Sequence, residues 1–141
     1  MARTRIPDSL TSLAMERPHL ATIDIRTEGP DESTVVVTLG FQDGAYEGTA
    51  FGSGAAGSRN RLVAEATLRA VEKILGGDHR FDVEAVATTD LGSVRVAMAQ
   101  VVIAGSRESF VGSAVLREED PAKAAARATL NAINRRLGKM L

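Results

Sequence analysis

Hydrophobic and polar positions alternate early in the chain. From Leu20 to Thr27 apolar Ile23 and Ile25 interleave with Asp24 and Arg26, which predicts a half-buried strand. Gly29-Pro30-Asp31 breaks it, and the β-branched run Val35 to Leu39 predicts a second strand. Asp43-Gly44 predicts a hairpin into a third strand over Ala45 to Phe51. The period then changes. Val63, Ala66, Ala70, Val71 and Ile74 recur at helical spacing between Leu62 and Leu75, while Glu65, Arg69, Glu72 and Lys73 fall off that stripe. Gly76-Gly77 predicts the helix end.

The same order returns. Phe81, Val83 and Ala85 mark a strand, Thr89-Asp90-Leu91-Gly92 a turn, Val94 to Ile103 a strand, and Phe110 to Leu116 another. Asp120-Pro121 combines a capping acceptor with proline at the first helical position, and Ala126, Leu130, Ile133 and Leu137 supply a second buried stripe. The wording repeats as well as the grammar. Gly48-Thr49-Ala50-Phe51 is echoed by Gly112-Ser113-Ala114-Val115, and Ala66-Thr67-Leu68-Arg69-Ala70-Val71 by Ala128-Thr129-Leu130-Asn131-Ala132-Ile133. A unit this short cannot bury its apolar face by itself, so the copies must share one core or one continuous sheet. The expected fold is therefore α+β: a tandem β-β-β-α repeat with pseudo-two-fold symmetry and antiparallel sheets packed by two helices. Short antiparallel turns between consecutive strands, with no helical crossover, disfavour a parallel α/β sheet. The expected domains are an N-terminal arm over 1–18, with Leu10, Leu13 and Met15 forming one apolar turn of a short helix, and a duplicated domain over 19–141, split as 19–77 and 78–141.

Composition narrows the classes. The 141 residues suit one domain that buries roughly 68% of its unfolded surface without staples. With no cysteine, thiolate nucleophiles, thiolate metal sites and disulfides are excluded. The N-terminus has no apolar run behind its basic residues and no stretch is long enough to span a bilayer, so the expectation is a cytoplasmic protein without membrane contact. A net charge of -1 and the absence of tryptophan disfavour nucleic acid as a partner.

Several residue groups bear on chemistry. Gly52-Ser53-Gly54-Ala55-Ala56-Gly57 satisfies G-x-G-x-x-G between a strand and a helix, yet the acidic residue further on, Glu72, lies inside the helix rather than on a second parallel strand, which disfavours dinucleotide binding. What survives is an anion site at a helix N-terminus, formed by Gly52, Gly54 and Gly57 with Ser58, Arg59 and nearby Arg61. Its plain alternative is a loop that uses glycines for turns. His19 and His79 hold equivalent places before the first strand of each copy and lack metal-ligand spacing, so no metal or cofactor is expected. Glu118-Glu119-Asp120 suits the positive end of the last helix, and Asn131, Asn134, Arg135 and Arg136 form a polar set along it. Ser53, Ser58 and Ser109 lack a histidine-acid companion, which disfavours a hydrolase.

The second copy resembles the C-terminal regulatory domain of 2-isopropylmalate synthase. The residues that carry the resemblance are Phe81-Asp82-Val83, Thr89-Asp90, Val94-Arg95-Val96, Phe110-Val111-Gly112 and Ala132-Ile133-Asn134-Arg135, within a likeness spanning about residues 20 to 137. The resemblance implies a homodimer of pseudo-symmetric units that binds an end-product amino acid, with Thr88, Thr89 and Asp90 as candidate ligand residues. The family's catalytic barrel has no counterpart here, so the implied protein is a non-catalytic regulatory module whose effector is an amino acid or anionic metabolite. A module resembling a double-stranded RNA-binding domain, and a ligand-free scaffold for a partner protein, are the alternatives.

Overall fold

The computed structural model describes residues 17–117 and 120–140. The expected N-terminal helix with Leu10, Leu13 and Met15, and the Glu118-Glu119 part of the acidic run, lie outside the described residues. Strands β1 (His19–Thr27), β2 (Ser33–Phe41) and β3 (Gly44–Gly52) precede helix α1 (Ala56–Ile74). Strands β4 (Phe81–Leu91), β5 (Val94–Ile103) and β6 (Ser109–Val115) precede helix α2 (Pro121–Met140). The strands form two antiparallel sheets, ordered β1-β2-β3 and β4-β5-β6. This is the expected α+β repeat, with β-β-β-α written twice.

Of the two ways foreseen for the copies to unite, the chain uses a shared core and keeps its sheets separate. Val35, Val37 and Leu39 alternate inward from β2 to meet Val63, Leu68 and Val71 of α1. The same cluster continues through Phe81, Val83 and Val101 into Leu130, Ile133 and Leu137 of α2. Each such side chain contributes about 1.5–3 kcal/mol when fully buried. The helices pack on each other, and each reaches across: α1 touches β4, and α2 touches β1.

The echoed segments are where each helix presses closest to its sheet. A Cβ added at Gly48 would collide with the Ala66 carbonyl and the Ala70 amide, and one at Gly112 with the Ala128 carbonyl and the Ala132 amide. Only glycine permits that backbone approach. One turn away, Thr67 Oγ1 donates to the Val63 carbonyl and Thr129 Oγ1 to the Ala125 carbonyl, both at 2.7 Å and both buried. The duplication is thus visible as matched contacts.

Four local expectations are corrected. The β2–β3 turn is Gln42–Asp43, with Gln42 at φ 56 and Gly44 already paired to Phe41, so it lies one residue before Asp43-Gly44. Thr89, Asp90 and Leu91 belong to β4, and the turn is Gly92-Ser93, because Leu91 still pairs with Val94. Helix α1 begins at Ala56 rather than Leu62; its first turn is exposed and so lacks the apolar period that would have revealed it. Finally, β-bulges between Leu20 and Thr22 and between Val83 and Ala85 align His19 with Asp82, not with His79. The start of α2 is as expected: Asp120 Oδ1 accepts the Lys123 amide at 3.1 Å. Among the described residues no helix is long and apolar enough to cross a membrane.

Candidate functional site

Helix α1 is tied along its length to β4 of the other repeat. Strand β4 is a sheet edge, and its bulge leaves carbonyls outside the regular ladder. Arg61 donates to the Val83 carbonyl at 2.7 Å and to the Glu84 carbonyl at 3.4 Å, and it pairs with Glu65 at 3.3 Å. Two turns on, Arg69 donates to the Phe81 carbonyl and Glu72 Oε2 accepts the Phe81 amide at 2.9 Å. Arg69 and Glu72 also pair at 3.1 Å. Glu72 is 8% exposed, so its charge is stabilised by these two partners rather than by water.

The seam opens into a cleft at each end. The larger, about 640 Å³, lies where the first repeat passes into the second and is lined by Arg69, Glu72, Lys73, Gly76, Gly77, Asp78, His79 and Arg80. Gly76 and Gly77, at φ 78 and 85, turn the chain out of α1 while their amides bond the carbonyls of Lys73 and Glu72. This capping leaves the cleft's electrostatics to its side chains. Lys73, Asp78 and Arg80 make no ion pair among the described residues. Arg69 Nε and His79 Nδ1 are shielded from water and have no hydrogen-bond partner among the described residues. The smaller cleft, about 310 Å³, is lined by Gly57, Asn60, Arg61, Val86, Ala87 and Thr88.

Of the candidate site residues singled out from sequence, the structure brings Gly57, Arg61 and Thr88 together in the smaller cleft and leaves Gly52, Gly54, Ser58, Arg59, Thr89 and Asp90 outside it. Thr89 pairs with Val96 on the opposite face of the sheet, and Asp90 pairs with Arg95 at 3.5 Å. Gly57, Ser58 and Arg59 lie in the first turn of α1 rather than in a loop. The proposed amide cradle is partly occupied: the Ser58 amide bonds the Ala55 carbonyl at 3.0 Å, and Ser53 Oγ accepts the Ala55 amide at 3.1 Å. None of Gly52, Gly54 and Gly57 has positive φ; Gly52 ends β3, Gly54 lies in the β3–α1 connection and Gly57 in the first turn of α1. Gly52 leaves room for Leu62, and Gly54 packs against the carbonyls of Gly29, Pro30 and Glu32.

No protein-family model matches the chain, and no curated protein does.

The junction cleft was missed because its residues carry no motif. Gly76-Gly77 reads as a helix stop, and Glu72 falls off the apolar stripe, where solvent is the default surroundings for a carboxylate. The available signal was the Arg69–Glu72 spacing, which places opposite charges on neighbouring turns of α1 beside its buried stripe.

The outward faces of the two sheets also differ. On the first, β1 presents Thr22, Asp24 and Arg26, β2 presents Thr34, Val36 and Thr38, and β3 presents Glu47, Thr49 and Phe51. At the matching places the second sheet carries Ala85, Ala87 and Thr89 on β4, Val96, Met98 and Gln100 on β5, and Val111, Ser113 and Val115 on β6. Leu91 and Val94 extend this second face at the hairpin. Its charges, Asp82 and the bulge residue Glu84, are confined to the opposite end.

Proposed function

We propose that the chain is a non-catalytic, homodimeric small-molecule-binding and regulatory module, similar in role to the leucine-sensing domain of 2-isopropylmalate synthase. The observation that carries this reading is the junction cleft, which holds uncompensated charges of both signs and two orphaned side-chain nitrogens. Lys73 and Arg80 suit a carboxylate, and Asp78 suits an ammonium group, the pair that a free amino acid offers. A seat between the repeats couples occupancy to their packing, which is what a regulatory module requires.

Duplex RNA is the weaker reading. Such a module meets phosphates with basic residues at a helix start, here Arg59 and Arg61 of α1, and Arg61 is engaged with the carbonyls of Val83 and Glu84. Calorimetric titration with branched-chain amino acids, and separately with inorganic phosphate, tests the proposal. Binding of an amino acid, weakened roughly 10- to 100-fold by Arg80→Ala and unchanged by Asp90→Asn, is the expected result. No heat with any amino acid or phosphate, or equal affinity in Arg80→Ala, overturns it.

A further inference from the structure

We propose that the outward face of the β4-β5-β6 sheet is the surface through which two copies of this chain associate, face to face about a two-fold axis. The proposal deepens the homodimer of the functional reading by naming its surface, and it does not depend on the ligand cleft. Leu91, Val111, Val115, Val94 and Met98 are 68%, 61%, 42%, 40% and 38% exposed, and they lie on one side of one sheet. Single exposed apolar residues are ordinary, whereas a contiguous set marks a contact surface.

The charge pattern selects a second copy as the occupant. A two-fold interface sets a patch against itself, so any charge near its centre meets its own kind in the partner. The middle of the second face, from Ala85 and Gln100 to Leu91 and Val94, carries no charge, so it can dock on itself without that penalty. The first face has Asp24, Arg26 and Glu47 at the corresponding places, and Asp24 and Arg26 already pair with each other at 3.3 Å.

The extent is adequate. The 7 residues of β6 set a run of about 23 Å at ~3.3 Å per residue, and three strands ~4.8 Å apart give a projected footprint of roughly 330 Å². With side-chain relief, two such faces hide on the order of 1,000 Å², where specific interfaces begin.

The test uses sedimentation equilibrium and crosslinking of the full chain. Because the chain has no cysteine, a single introduced one reports on a single place. The native protein is expected to sediment at twice the 14.9 kDa chain mass. Met98→Cys, or Ser113→Cys should the first fold poorly, is expected to link to its copy through a short bis-maleimide, while Val36→Cys at the matching place on the first sheet does not. Sedimentation at the single-chain mass, or linking of Val36→Cys as efficient as that of either second-sheet variant, overturns the proposal whatever the ligand titration shows.

Discussion

The two repeats are alike where each helix meets its own sheet and different where each sheet faces outward. Inside, Gly48 and Gly112 seat their helices by the same backbone approach, and Thr67 and Thr129 bond the same turn. Outside, Asp24, Arg26 and Glu47 of the first repeat correspond to Ala87, Thr89 and Val111 of the second. Inward positions are constrained by packing, which tolerates few changes, while outward positions are free to take up separate duties. The helices have diverged similarly on their flanks. Where α1 places Arg69 and Glu72 against β4, α2 places Asn131, which donates to the Ser113 carbonyl at 2.8 Å, and Asn134, whose buried Oδ1 has no partner among the described residues.

The comparison breaks most sharply at the paired glycines. Gly48→Val and Gly112→Val are each expected to cost roughly 3 kcal/mol or more, because the side chain must displace helix backbone rather than a mobile group. Urea midpoints check this, and a harmless valine at either place would show that the two helix seats are not equivalent. Next come the flanks. Glu72→Ala leaves the Phe81 amide and Arg69 without their buried acceptor, an expected loss of about 2–3 kcal/mol. Asn134→Ala removes an oxygen that no described residue bonds and should cost under about 1 kcal/mol, so equal losses in thermal unfolding would erase the distinction. The smallest effect is a gain: Gly138→Ala in α2, where an added Cβ meets nothing, is expected to stabilise by about 0.5–1 kcal/mol.

Much of this frame was legible in the residue order. All six strands were foreseen, β3 from the Asp43-Gly44 hairpin signal and the others from alternating or β-branched runs, and both helix stripes are buried as their spacing requires, with Ile74 half-buried at the end of the first. The echo of Gly48 to Val71 in Gly112 to Ile133 also pointed to what it encodes, the closest helix-to-sheet contact. The site was less legible. Thr88, Thr89 and Asp90 are consecutive in sequence, but a strand turns alternate side chains to opposite faces, so Thr88 lines a cleft while Thr89 lies on the outer face. The junction cleft depends on where α1 lies against the start of β4, a relation between repeats that no local pattern contains. The uncharged outer face was present in the letters too, but reading it needs the register of three strands at once.

The most direct test of the divided roles is sedimentation equilibrium of two matched variants, Met98→Glu and Val36→Glu, with folding verified by circular dichroism. The account predicts that Met98→Glu halves the native mass to that of one chain, while Val36→Glu leaves the dimer intact. Equal behaviour of the two variants, or a native protein already at the single-chain mass, would contradict it.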